Sequence, residues 1–94
     1  MSDESYNGYT NVATYFVCST FDNVETPFHK LRGLASEEGT EDEVREYVEA
    51  QFFGTPDPDL HPSELETMRQ CRKYISEAEL DEVDWKEVRE HFTD

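Results

Sequence analysis

A mostly α-helical fold, a small single-domain bundle of four to five short helices, is the class this sequence predicts. Three observations predict it. Apolar residues recur at helical spacing, most plainly Val44, Tyr47, Val48 and Phe52 at i, i+3, i+4 and i+8. Capping residues stand ahead of such runs. Glycine and proline clusters such as Gly54-Thr55-Pro56-Asp57-Pro58 separate them. The 94 residues fit one acidic domain spanning 1–94. A chain of this size buries only about two thirds of its unfolded surface, so the core is thin. The hydrophobic share of 35% is low, but 13% of residues are aromatic, and each ring buries a large apolar area. That favours a folded domain over a disordered one.

The elements follow in order. Residues 1–8 read as a polar, flexible start, with Asn7-Gly8 as a turn signal. The run from Val12 to Phe21 is the most apolar in the chain, and its β-branched and aromatic composition favours a strand. Against this, Val12, Phe16 and Ser19 share one helical face, with Tyr15 beside them, and Asn11 suits an N-cap. The helix is the reading adopted, with the strand left open. Asp22-Asn23 breaks the element. A short helix follows from about Pro27, a residue tolerated in a first turn, with Phe28, Leu31 and Leu34 inward. Lys30 and Arg32 lie toward its end, where they complement the dipole.

Ser36 to Gly39 form a loop. Thr40-Glu41-Asp42-Glu43 then reads as a capping box, Thr40 capping and Glu43 reaching back, ahead of the helix ended by Gly54. Residues 55–62 form a proline-stiffened loop. Ser63-Glu64-Leu65-Glu66 reads as a second capping box, opening a helix whose stripe is Leu65, Met68, Cys71 or Arg72, and Ile75. Asp84, with Glu87 three residues on, caps a last helix with Trp85, Val88 and Phe92 inward.

Catalysis finds little support. His29, His61 and His91 are scattered without a metal-binding spacing, and no glycine-rich loop suggests a phosphate cradle. Asp57, Asp59 and His61 alternate in a loop but lack the glycine and final glutamate of a calcium site, so they read as a solvated turn. Cys18 and Cys71 fall in apolar segments and read as buried free thiols. No catalytic residue, cofactor or metal is expected, and the chain reads as a non-enzyme. No apolar run reaches the roughly 20 residues of a membrane span. Met1-Ser2-Asp3-Glu4 is the opposite of a secretory signal, so a cytoplasmic protein is expected.

Charge is the strongest signal. There are 23 acids against 8 bases, a net of −15. Residues 37–66 carry a net −10 with Arg45 as their one base, residues 67–76 carry +3, and residues 77–94 carry −6. Such a field repels nucleic acid and anionic membrane and attracts cationic protein surfaces. Arg69, Arg72 and Lys73, between two acidic zones, read as internal charge balance through salt bridges to neighbouring helices. Glu38, Asp42, Glu46 and Glu49 fall at i, i+4, i+8 and i+11. Four residues of helix rise about 6 Å, near the roughly 6–7 Å between phosphates along a strand. A second row comes from Glu79, Glu82, Glu87, Glu90 and Asp94. Two such rows imitate the phosphate backbones of a duplex. Glu38, Asp42, Glu46, Glu49, Glu87 and Glu90 are therefore the candidate partner-binding residues. The expected partner is a basic nucleic-acid-binding protein, with no direct nucleic-acid or membrane contact and a homodimer left open. Two rival readings stand beside this one: a salt-adapted surface whose charge is only solvation, and an adaptor with an aromatic groove at Trp85, Phe52 and Phe53.

The run Tyr6-Asn7-Gly8-Tyr9-Thr10-Asn11-Val12-Ala13-Thr14-Tyr15-Phe16-Val17, followed by Asp22-Asn23, resembles the "NG(W/Y)xNxxTWxV" signature of a family of small phage, plasmid and haloarchaeal proteins. Val83-Asp84-Trp85-Lys86-Glu87-Val88-Arg89-Glu90-His91 resembles that family's closing "V(D/N)WxEIAxH". Tyr15 stands where the family usually has tryptophan, and Arg89 where it has a small residue. The resemblance implies a mostly helical accessory protein of a mobile element and transfers no catalytic residue. Read with the acidity, it implies an inhibitor of host defence, anti-CRISPR or anti-restriction. The targets would be a CRISPR surveillance complex or a restriction enzyme in the host cytoplasm.

Overall fold

The computed structural model describes residues 8–93. The expectation of a flexible start at residues 1–8 lies, except for Gly8, outside them, as does Asp94. Five α-helices run in order: α1 (Val12–Asp22), α2 (Glu25–Ala35), α3 (Glu41–Phe53), α4 (Pro62–Gln70) and α5 (Trp85–Thr93). Two 3-10 turns, Cys71–Lys73 and Ala78–Glu82, connect α4 to α5. Among the described residues there is no β-strand, so the ambiguous run at 12–21 is helical.

The reason lies at its start. Asn11, in extended backbone, caps α1: its Oδ1 accepts the Thr14 N–H at 2.9 Å and the Thr14 hydroxyl at 2.8 Å. The helix then turns Ala13, Thr14, Val17, Cys18 and Phe21 into the core. In a strand the same residues would divide between two faces. Phe21 stacks on Phe52 of α3 with centroids 5.5 Å apart. Phe92 of α5 meets Phe28 of α2 edge-on at 5.8 Å. One core of buried residues thus draws on all five helices. Both cysteines are free and buried in it, as their patterning predicts.

Two helix starts and the bonding of one cap differ from expectation. Helix α2 begins at Glu25 rather than near Pro27, with Val24 as N-cap. Pro27 still falls in the first turn, where its missing N–H removes no intrahelical bond. Thr40 is the N-cap of α3, but its hydroxyl donates to Glu37 C=O at 2.8 Å and makes no cap bond, so the box with Glu43 is absent. Helix α4 begins at Pro62 with His61 as N-cap, two residues earlier than a Ser63 cap suggests. Glu64, not Glu66, is the acidic partner there, and Glu66 accepts from Gln70 Nε2 instead.

Glu64 joins two helix starts. It is 8% exposed. One carboxylate oxygen accepts the His61 N–H at 2.9 Å, and the other accepts the Thr26 N–H of α2 at 3.0 Å. The first N–H groups of a helix have no intrahelical partner and carry partial positive charge. A single carboxylate here serves two such ends. The Thr26 N–H, followed by that of His61, holds its carboxyl below the usual range despite burial.

The chain ends interlock across α1 and α5. Asn11 Nδ2 donates to Glu82 C=O at 2.8 Å, and the Asp84 N–H donates to Thr14 Oγ1 at 2.9 Å. Asp84 caps α5 by accepting the Glu87 N–H at 3.1 Å, as expected. Trp85 Nε1 donates to Leu80 C=O at 2.9 Å. His91 Nε2 sits 2.9 Å from an Asp22 oxygen. Most of these residues fall in residues 9–23 and 83–91, so both stretches have a structural use here. Arg89 donates to Glu41 at 3.1 Å and to the C=O groups of Ala35 and Glu37. It ties the end of α2 to the start of α3.

Candidate functional site

Helix α3 is oriented by burial of Val44, Val48, Gln51 and Phe52. Asp42 and Glu46 are therefore left exposed and Glu49 half-exposed. Acids in its first turn, Glu41, Asp42 and Glu43, suit the positive end of the helix dipole. Of these, Glu41 is tied to Arg89. The one base of the acidic zone, Arg45, is also used internally. It pairs with Asp81 and lies over the Trp85 ring, 6.0 Å from its centroid. Among the described residues, Asp42, Glu43, Glu46 and Glu49 enter no ion pair.

Near the end of α3 an open cleft of about 310 Å³ lies between Glu46, Glu49, Phe53 and Glu77. Glu77, just before the second 3-10 turn, meets the Glu49 carboxylate. A hydrogen bond shared with Glu49 is the largest cause holding the Glu77 carboxyl above its ordinary range, since it favours the protonated form; the charges of Glu49 and Asp81 push the same way. Sequence spacing places Glu46 and Glu49 together but does not single out Glu77. Only the chain reversal around Ser76, whose N–H donates to Glu79 at 2.7 Å, carries Glu77 back to α3.

The remaining candidates are spread more widely. Glu38 is exposed in the turn before α3, and Glu90 is exposed on α5. Glu87 is half-buried and accepts the Thr10 N–H at 3.0 Å. In the second row, Glu79 is engaged at Ser76, Glu82 is exposed, and Asp94 lies outside the described residues.

The basic cluster does not act as internal charge balance. Among the described residues, Arg69, Arg72 and Lys73 form no ion pair. Arg72 Nε donates instead to Phe52 C=O, in the last turn of α3. That turn offers carbonyls rather than carboxylates, and the neighbouring α1 carries no acid before Asp22. Lys30 is the base that gathers acids, lying 3.0 Å from Asp57 and 2.8 Å from Asp59. Asp57 also accepts the Tyr47 hydroxyl at 3.1 Å, so this loop pins itself to α2 and α3.

Of the aromatics expected to line a groove, Phe52 is fully buried, whereas Trp85 and Phe53 are half-buried; Trp85 is held by Leu80 and Phe53 borders the cleft beside Glu77. Among the described residues, no group of three or more His, Cys, Asp or Glu side chains is arranged to hold a metal ion. Nor is any helix there long and apolar enough to cross a membrane. No protein-family model, curated protein or solved structure matches this chain.

Proposed function

We propose that this chain is a non-enzymatic acidic binding protein that acts as a DNA mimic. Its carboxylates engage lysines and arginines that otherwise hold phosphates, and so block the basic nucleic-acid groove of a host defence complex. A CRISPR surveillance complex and a restriction enzyme are the two target classes. The observation that carries this reading is the un-neutralised outer face of α3. Among the described residues Asp42, Glu46 and Glu49 have no ion-pair partner, and the Glu77 carboxyl lies against that of Glu49. A cationic partner supplies the counter-charge this face lacks. The likeness of both chain ends to small phage, plasmid and haloarchaeal proteins supports a mobile-element accessory role. Glu38 and Glu90 are exposed on other elements, and Glu87 must give up its bond to Thr10 to meet a partner.

The test is competition for DNA. Purified surveillance complexes and restriction enzymes are loaded with labelled duplex, and the protein is titrated in at two salt concentrations. A mimic using six phosphate-like contacts, if it releases counterions as DNA does, loses about 1,000-fold in affinity between roughly 50 and 200 mM salt. The double variant Glu46→Lys/Glu49→Lys should no longer displace DNA, while its circular dichroism remains native. Silent reversals, with folding that requires molar salt, would instead make the charge a solvation device.

A further inference from the structure

The face formed by α1 and α4 is unlike the rest of this surface. Residues 12–21 contain no Asp, Glu, Lys or Arg, and residues 67–76 contain Arg69, Arg72 and Lys73 but no acid. Between the two helices lies an open groove of about 380 Å³, bordered by the Phe16 and Tyr74 rings. Their centroids stand 6.3 Å apart, and Tyr74 is 70% exposed. The amides that line this groove have spent donors on the protein itself. Asn23 Nδ2 donates to Ser19 C=O at 2.8 Å, and Gln70 Nε2 donates to one Glu66 oxygen at 2.9 Å. Acceptors are what they have to spare: the Asn23 and Gln70 amide oxygens and the second Glu66 oxygen. Arg69 and Lys73 do not line the groove but flank it. Arg69 is three residues from Glu66, Lys73 is three from Gln70, and the two bases are one turn apart. Both are exposed, and among the described residues neither enters an ion pair.

We propose that this face binds a nucleoside phosphate, with its base in the groove and its phosphate on Arg69 and Lys73. The net charge of −15 opposes an anion at long range. At physiological salt, however, exposed charges beyond about 8 Å are largely screened. The charges that count are then the local ones: Glu66 on the groove wall against the bases beside it. A nucleobase is apolar on its two faces and polar along its edge. This groove has the matching pattern, rings at its border and hydrogen-bonding groups within. Stacking on an aromatic ring holds any base. The spare acceptors discriminate, because they need donors. A carboxylate accepts the cytosine amine and a side-chain amide pairs with adenine, whereas uracil carries no amine. A base stacked inside a duplex cannot enter such a pocket, so the ligand is a free nucleotide or one unit of a single strand. The acidic outer face of α3 contributes nothing to this groove, so nucleotide binding and DNA mimicry stand or fall separately.

Amide NMR titration of the isotope-labelled full chain tests it. The probes are cytidine, adenosine and uridine monophosphates and a short single-stranded oligocytidylate, each up to about 10 mM, which reveals affinities in the millimolar range. Shifts should concentrate at residues 16–23 and 66–74. Cytidine or adenosine monophosphate should bind more tightly than uridine monophosphate, and binding should weaken as salt rises. Tyr74→Ala, at an exposed position, should weaken binding roughly tenfold with native circular dichroism. Arg69→Glu/Lys73→Glu should lose the advantage of the monophosphate over the plain nucleoside. Equal affinity for monophosphate and oligonucleotide would identify a free nucleotide as the ligand, and tighter binding of the oligonucleotide would identify a strand. Absence of shifts with every probe overturns the proposal. So do shifts confined to other faces, uridine monophosphate bound as tightly as the other two, or unchanged affinity in either variant.

Discussion

Replacing Glu64 with glutamine removes one charge and one acceptor from the point where α2 and α4 both begin. The side chain keeps its shape, so packing is nearly preserved. The two backbone N–H groups, of His61 at 2.9 Å and Thr26 at 3.0 Å, now face one amide oxygen and one NH₂ group. One N–H therefore loses its acceptor, and a hydrogen bond to a charged group contributes about 1.5–3 kcal/mol. Loss of a negative charge at two helix N-termini adds about 0.3–1 kcal/mol at each. The sum is about 3 kcal/mol, which for a domain of this size lowers Tm by about 12–24 °C. Urea and thermal melts followed by circular dichroism measure it, and an unchanged urea slope shows that the unfolded reference is the same. The pH dependence is a second check. The folded carboxyl lies below the unfolded glutamate value of about 4.3. Its stabilisation is thus full above that value and is lost as pH falls through the folded one. The gap between wild type and variant should be complete at neutral pH and shrink below about pH 4. A neutral-pH difference under about 1 kcal/mol, or a gap that persists into acid, would refute the dual-cap account.

Three further outcomes are expected. Arg89→Ala leaves Glu41 and the carbonyls of Ala35 and Glu37 without their donor, and should cost about 2–3 kcal/mol in urea melts. Glu77→Gln should raise Tm at neutral pH and reduce its dependence on salt, since the repulsion from Glu49 disappears. The raised folded carboxyl of Glu77 makes the wild-type penalty grow as pH rises through that value, so the variant's advantage should vanish in acid, with the same trend in its melts. Burial pushes the Cys18 thiol up to about 12 and the Cys71 thiol up to about 11. Neither should react with a thiol reagent at pH 8 until denaturant is added, and a fast native-state reaction at Cys71 would contradict its burial.

Much of the architecture is readable along the chain because it depends on neighbours in sequence. The Asn11 and Asp84 caps bond N–H groups three residues ahead, and the structure contains both. The inward face of α3 follows from its spacing, as do Met68, Cys71 and Ile75 in the next stripe. Total charge and its crowding into residues 37–66 are likewise properties of the sequence itself. Tertiary packing decided what local patterns leave degenerate. The run at 12–21 has strand-like composition, yet burying its apolar side chains on one face of α1 requires the helix. Thr40 and Ser63 carry the letters of a capping box, but a hydroxyl or carboxylate takes the best donor or acceptor within reach. For Glu64 that includes Thr26, 38 residues away. Charge sums carry no geometry, so the approach of Glu77 to Glu49 and the isolation of Arg69 and Lys73 from every described acid appear only once the helices dock. The quantity of negative charge was set by the sequence. Which carboxylates are tied down and which stay open to a partner was set by the fold, because ion pairs form over a few ångströms that only packing controls.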